Sequence, residues 1–523
     1  MARVLLAKAR FLNEGGMGAV APLGALYIAS VLREAGHHVR LFDAGELWDP
    51  EPFREVLRAF QPQVVGISAI TIEARVMEQM ARVCREELPE VPVIVGGPHA
   101  TAYPQRCARN PDVDFVALGE GELTALELVR ALTQGGLDPK SVAGVAYCGD
   151  DGHVVFTAPR EPITDVDSIP FPAWDLMDFD LQARTRSMSS VGSRRHMLLF
   201  TSRGCPFKCI YCHEVQGKKF RARSPENVVK EMQELKTRWG INDFEIVDDI
   251  FNFDRARMLD ILDRIVASKQ QPALHFPNAL RTDMLDEGQI KALRRAGTFF
   301  LCAAVESASP RLQKLIKKHL KVDKVEENIR IAVREGMYVR GFFMLGFPTE
   351  TFEEGQSTVN LAVRSALHEA LFFIVTPFAG TALYELYQET MRERGLLHLE
   401  PEDTGYHHAN YNLSAMSDAE LFGLQRSGFR RFFLDPRRAL RIAARHPAKL
   451  ELMRYGLITF LKMLPHPAVR RARVGGGTTI GPEKAGEQES ARLHLATGWD
   501  AAEPVRRMDT RGRKVNPLPA AAS

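Results

Sequence analysis

Three cysteines close together in the chain are the residues best equipped for chemistry. Cys205, Cys209 and Cys212 stand in a CxxxCxxC spacing within Thr201-Ser-Arg-Gly-Cys-Pro-Phe-Lys-Cys-Ile-Tyr-Cys-His213. Thiolates are the usual protein ligands of iron–sulfur clusters, which normally take four. Three thiolates on one short loop can hold three irons of a 4Fe–4S cluster and leave the fourth open to a substrate or cofactor. A Cys3His zinc site that adds His213 is the alternative. It requires adjacent Cys212 and His213 to turn to one metal, so His213 reads better as a loop residue near the cluster. The apolar run from Met197 to Phe200 reads as a short buried strand, and the loop leaves its end.

At these residues the chain resembles the radical S-adenosylmethionine (SAM) superfamily. The match includes Tyr211, an aromatic immediately before the third cysteine. The resemblance implies that the open iron chelates the amino and carboxylate groups of SAM. Electron transfer from the cluster would then cleave SAM to methionine and a 5′-deoxyadenosyl radical.

The loop needs a scaffold, and 523 residues suffice for two or three domains. A net charge of +3 is too small to argue for nucleic acid. Cys84, Cys107, Cys148 and Cys302 are scattered without disulfide-like spacing and read as small buried apolar residues. The first ten residues have too short an apolar core for a signal peptide, and no apolar run reaches a membrane span. The cytoplasm is the expected compartment, and its reducing poise suits exposed thiolates.

From the N-terminus, strands at Val4–Ala7, Val39–Asp43, Val64–Ser68, Val93–Gly97 and Phe115–Leu118 alternate with helical stretches at Leu23–Arg33 and Ile72–Glu87. This βαβ rhythm predicts a doubly wound parallel sheet with ligands at the carboxyl ends of its strands. Gly96-Gly97-Pro98-His99 and Gly119-Glu120-Gly121-Glu122 fall at such ends, and neither is a dinucleotide fingerprint. With Pro22-Leu23-Gly24 and Ser68-Ala-Ile-Thr71, these segments resemble the cobalamin-binding Rossmann-like domain. The resemblance implies that Ser68 and Thr71 lie near the dimethylbenzimidazole tail and Gly96 and Gly97 beside the nucleotide tail. Leu23, Gly24, Pro98, His99, Gly119 and Glu120 complete the expected cobalamin contacts. Many such domains carry DxHxxG after the first strand, whose histidine ligates cobalt from below. Here that segment, Lys8 to Gly24, has no histidine. The resemblance is thus to the cobalamin-dependent branch of radical SAM enzymes, with no histidine on the lower face of cobalt.

Residues 147–161 read as a hairpin, and Ile169-Pro-Phe-Pro-Ala-Trp174 as a proline-stiffened connector. Ser187–Arg195 reads as a mobile loop. After the cysteine loop, helices and strands alternate through six βα units, with strands near 197–200, 244–247, 274–276, 299–305, 339–345 and 370–375. This fits a partial (β/α)6 TIM-like barrel whose polar residues collect at strand ends. By position, the resemblance implies that Asp248 and Asp249 contact the SAM amino group or order the site. Glu306 and Ser307 would meet the ribose, Gly346 the adenine and Arg281 the methionine carboxylate, with Tyr211 alongside. Structural salt bridges inside the barrel are the alternative for Asp248, Asp249 and Arg281.

Ser417–Phe433 and Pro436–Leu464 read as basic helices, with Leu450, Met453, Leu457, Phe460, Leu461 and Leu464 on one face. A cap packed on the barrel is the first reading, and a surface for anionic lipid or an acidic substrate the second. The expected organisation is a cobalamin-binding domain (1–146), a linker (147–195), the barrel (196–401), a helical region (402–473) and a disordered tail (474–523). The expected function is a cobalamin-dependent radical SAM methyltransferase acting on an unactivated carbon of a small-molecule or lipid-like substrate. Its cofactors would be a 4Fe–4S cluster, SAM and cobalamin, with flavodoxin or ferredoxin as electron donor. A cyclase or rearrangement enzyme would carry the same motifs, whereas a non-catalytic cobalamin sensor would not need the cysteine triad.

Overall fold

The computed structural model describes residues 1–10, 21–44, 48–179, 182, 187–193, 195–393, 412–447 and 449. The apolar stripe from Leu450 to Leu464 and the tail at 474–523 lie outside the described residues. The described residues belong to one compact unit.

The first sheet contains β1 (Arg3–Lys8), β2 (His38–Asp43), β3 (Val64–Ser68), β4 (Val93–Gly96), β5 (Phe115–Ala117), β6 (Val145–Cys148) and β7 (Val154–Phe156). Its order is β2-β1-β3-β4-β5-β6-β7. The first five strands are parallel, which is the sheet expected from the sequence. The hairpin β6–β7 adds antiparallel to its edge, so strands placed in the linker by sequence are strands of this sheet. Helices α1 (Leu23–Glu34), α2 (Pro50–Phe60), α3 (Ala74–Glu87), α4 (Pro98–Ala102), α5 (Pro104–Ala108) and α6 (Gly121–Gln134) cover it. Two separate apolar cores flank the sheet, one around Phe53, Leu57 and Met80 and one around Leu32, Leu128 and Val145.

The second sheet contains β8 (Met197–Leu199), then, beyond a small ribbon of β9 (Ser202–Arg203) and β10 (Arg221–Ala222), β11 (Asp243–Ile246), β12 (Ala273–Leu280), β13 (Thr298–Glu306), β14 (Tyr338–Leu345) and β15 (Glu369–Ile374). Its six strands run in the order β15-β14-β13-β12-β11-β8, parallel throughout. Consecutive neighbours in chain order joined by helices make a six-unit open barrel. The helix Pro225–Trp239 opens on a serine cap and a proline. Ser224 accepts from the Asn227 N–H, and Pro225 takes the first turn, where no donor is needed.

The serine-rich stretch expected to be mobile is instead docked at the amino ends of these strands. Ser189 N–H donates to Glu245 (2.9 Å), Ser189 Oγ contacts His275 Nδ1 (3.0 Å), and Ser190 Oγ donates to Glu369 (2.6 Å). Buried carboxylates on β11 and β15 need donors. A serine-rich segment supplies them from both backbone and side chain. It therefore closes the end of the barrel opposite the cysteine loop.

The helix Asp418–Phe433 packs through Leu421, Leu424, Gly428 and Phe432 on the helix Phe352–Arg364 and on β15, as the cap reading expects. Arg438 on the next helix, Pro436–Arg445, is buried. It donates to the carbonyls of Val363 (2.6 Å) and Ser365 (3.3 Å), and also to that of Leu367. This arginine, on one of the basic C-terminal helices, turns inward to satisfy the end of the neighbouring helix.

Candidate active site

The cysteine loop runs from Gly204 to Phe220, closed at its neck by β9 and β10, where Arg203 sits opposite Arg221. Gly204 has φ +78°. A Cβ there would lie 2.4 Å from the Lys219 carbonyl oxygen, so only glycine lets the two ends come this close. Cys205 N–H donates to Gly217 O (3.2 Å) and Cys212 N–H to Cys209 O (3.2 Å). All three loop cysteines are partly exposed, whereas Cys84, Cys107 and Cys302 are buried, as expected, and Cys148 is exposed.

The donor set fits an iron–sulfur cluster. Burial raises the Cys205 thiol and pushes Cys212 up to about 12, with Cys209 adding to the rise at Cys212. Iron inverts that balance by taking the thiolate as ligand. Among the described residues no three His, Cys, Asp or Glu side chains converge on a single ion. A cubane binds each thiolate through a different iron, so its ligands stand further apart than those of a mononuclear site.

Around the loop, the residues expected to meet SAM divide into two groups. Glu306 and Tyr211 come together, and the ring of Phe347, the residue after Gly346, lies 5.8 Å from that of Tyr211. Glu306 ends β13 with a left-handed φ of +62°, a strained conformation for a residue other than glycine. Its Oε1 accepts from Tyr211 OH (3.3 Å) and from Lys318 Nζ (2.8 Å). Burial, and then the Glu306 carboxylate, raise the Tyr211 phenol well above its ordinary value. Lys318 was missed in the sequence, because it lies in a run of lysines that reads as a solvated face. Gly346 ends β14 with φ +95°. Its N–H and that of Phe347 donate to Glu350 Oε2, at 2.6 and 2.9 Å. Asp249 accepts from the Gly204 N–H, and burial raises its pKa against the pull of His213.

Asp248, Arg281 and Ser307 are committed elsewhere. Asp248 is 2% exposed and accepts from Thr201 N–H, Thr201 Oγ1 and Ser202 Oγ, tying β11 to the start of the cysteine loop. Arg281 donates to Asp283 (3.2 Å) and to Lys318 O (2.6 Å), and its guanidinium lies 3.9 Å from the centre of the Phe207 ring. It braces the cysteine loop from the side. Ser307 accepts from Ser309 N–H and touches Thr358, so it builds the turn after β13. All three side chains have protein partners that position the loops around the site.

On the first sheet, Ser68, Gly96 and Gly97 stand together at the carboxyl edge. Gly97 has φ +89°, and a Cβ there would be 2.8 Å from Ser68 Oγ. Thr71 follows Ser68 on a short 3-10 turn, and Pro98 is exposed. A Cβ added at Gly24 or Gly119 would meet nothing within 4 Å. Leu23 and His99 are both buried. Leu23 is buried in the core it shares with Trp174 and Met197. His99 is wholly buried, its ring 5.2 Å from that of Tyr103, and its backbone N–H donates to Ala69 O (3.1 Å). The carboxylate of Glu120 is engaged by the barrel half of the chain. It makes ion pairs with Arg221 (2.7 Å) and Arg203 (3.3 Å) of the cysteine-loop neck.

Comparison with known proteins agrees with both halves. Residues 17–129 match the B12 binding domain, and residues 199–362 match the radical SAM superfamily. A protein of Pyrococcus horikoshii named as an uncharacterized methyltransferase is 34% identical over 369 residues, 70% of this chain and 78% of that protein. The chain belongs to the cobalamin-binding radical SAM enzymes. The cytidylyl-2-hydroxyethylphosphonate methyltransferase of Streptomyces wedmorensis is 30% identical, covering 74% of this chain and 80% of its own. An anaerobic magnesium-protoporphyrin IX monomethyl ester cyclase of Rubrivivax gelatinosus is 26% identical over 79% of this chain and 74% of its own. The same fold occurs in OxsB with aqua-cobalamin and SAM bound (TM-score 0.70, 15% identity, 95% of this chain and 79% of that one). It also occurs in TsrM of Kitasatospora setae with cobalamin and a [4Fe-4S] cluster (TM-score 0.62, 18% identity, 83% and 86%). As a cobalamin-binding radical SAM enzyme, this protein takes a 4Fe–4S cluster, SAM and cobalamin as cofactors. Among the described residues no helix is long and apolar enough to cross a membrane.

Proposed function

We propose that this enzyme methylates an unactivated carbon of a small-molecule or lipid-like substrate. The reading rests most on an open cysteine loop joined to a cobalamin domain whose first connection, Lys8 to Gly24, has no histidine. Two relatives, at 34% and 30% identity, carry methyltransferase names. In this reading the cluster and SAM supply a 5′-deoxyadenosyl radical that takes a hydrogen from substrate, and cobalamin supplies the methyl group. The chain itself contributes ligation, orientation and exclusion of side reactions. Cys205, Cys209 and Cys212 would hold the cluster. Tyr211, Asp249, Glu306 and Gly346 would border SAM. Ser68, Thr71, Gly96, Gly97 and Pro98 would border cobalamin. A flavodoxin or ferredoxin would deliver the electrons, in the cytoplasm.

Cyclisation without methyl transfer is the second reading, favoured by the 26% identical cyclase. Anaerobically reconstituted, cobalamin-loaded enzyme is to be incubated with methyl-deuterated SAM, reductant and compounds made by the neighbouring biosynthetic genes. Methyl transfer puts the label into product and forms 5′-deoxyadenosine alongside. An unlabelled, ring-closed product establishes the second reading instead. Replacing the three loop cysteines with alanine removes the cluster of about four irons and both outcomes with it.

A further inference from the structure

The segment Gly119-Glu120-Gly121-Glu122 sits at the ligand edge of the first sheet, yet its carboxylates do not face a ligand. Glu122 pairs with Arg203 Nη2 at 2.5 Å, and Glu120 pairs with both Arg203 and Arg221. All four side chains are 12% exposed or less. The two arginines face each other across the ribbon β9–β10, one on each side of the cysteine loop's neck. Arg203 is two residues from Cys205. The neck has no slack, because Gly204 packs against the carbonyls of Gln216, Gly217 and Lys219. A displacement of either arginine is therefore passed directly to the cysteines.

From this arrangement we infer that Glu120, Glu122, Arg203 and Arg221 are positioning residues that fix the cysteine loop to the cobalamin domain, so that cobalamin binding orders the loop. Two buried carboxylates against two guanidiniums gain little over an apolar contact in stability, but their directional bonds allow only one register. Register is what two cofactors on separate domains require, since a misplacement of about 1 Å can cost roughly 100-fold in rate. The inference rests on the cofactors and not on the methyl-transfer reading, so it stands or falls separately from that reading.

The test is hydrogen exchange of the 204–220 loop in cluster-free full-length protein, with and without cobalamin. In the wild type, cobalamin slows exchange there by about tenfold, a size typical of coupling between sites. In Glu122→Gln and Arg203→Lys this cobalamin-induced difference disappears, while cobalamin still binds. Glu120→Gln, at the more exposed glutamate, serves if either variant fails to fold. Leu57→Ala, in the far core of the first sheet, controls for lost stability and keeps the difference. A purely structural role would raise exchange in the free and bound states alike. Survival of the full difference in the three network variants overturns the inference.

Discussion

Asp248 receives both the backbone N–H and the hydroxyl of Thr201, at 2.6 and 2.5 Å. The carboxylate is thereby occupied in holding the strand that launches the cysteine loop. Asp248→Asn removes an acceptor oxygen from a buried site and should cost about 2 kcal/mol of unfolding free energy. Iron loading should fall with it. SAM affinity of the chains that retain a cluster should be unchanged. Denaturant titration, iron analysis and SAM binding check this together, and weakened SAM binding at full stability would return Asp248 to the list of ligand contacts.

Glu350 predicts a pH dependence. Burial pushes its pKa up to about 7, against the backbone N–H donors of Gly346 and Phe347. Glu354 adds to the rise and Arg311 opposes it. The folded chain thus keeps a proton on Glu350 where the unfolded chain has released it, since the ordinary value is 4.5. The associated stability is complete below 4.5 and is lost as pH rises to about 7, roughly 3 kcal/mol over the whole window. Glu350→Gln keeps one oxygen for both N–H groups and should flatten that slope. Urea midpoints of the two proteins at about pH 5 and about pH 8 decide it.

Cobalamin in this enzyme should show no nitrogen ligand beneath cobalt. The first connection lacks histidine, and His99, the histidine nearest the Gly-Gly turn in sequence, is wholly buried. Electron paramagnetic resonance of the Co(II) state should lack nitrogen superhyperfine splitting. Splitting that disappears in His99→Gln would contradict this directly.

Arg438 makes the C-terminal helices part of the barrel. Arg438→Met leaves the carbonyls of Val363, Ser365 and Leu367 without that donor and should cost about 3 kcal/mol. Ending the chain at Asp435 should lower soluble yield and cluster content together. A soluble, cluster-loaded truncation that has lost binding to anionic liposomes would instead favour a lipid-facing role for this region.

Much of this architecture was legible in the chain. Alternating apolar runs located the strands of both sheets, because that signal is local. The cysteine triad was legible for the same reason. What local pattern does not carry is which partner a charged side chain finds. Glu120 stands beside a glycine that resembles a cofactor motif, but its partners Arg203 and Arg221 are distant in sequence. Asp248 and Arg281 occupy expected strand ends, yet their hydrogen bonds are spent on neighbouring loops. Lys318 joined the site only through folding. The docking of Ser187–Gly192 depends on buried carboxylates that a serine-rich stretch does not reveal by itself.

That docked segment changes where the catalytic half of the gene begins. Ser189 and Ser190 fill the closed end of the barrel, while Trp174 donates to Glu231 and Asp167 accepts from the Ser224 N–H. A fragment started at Met197 would keep all six strands but lose its stopper and these stitches. An expression boundary for the barrel therefore belongs before Asp167, inside what looks like connecting chain, and swapping this domain between relatives would have to carry that stretch with it.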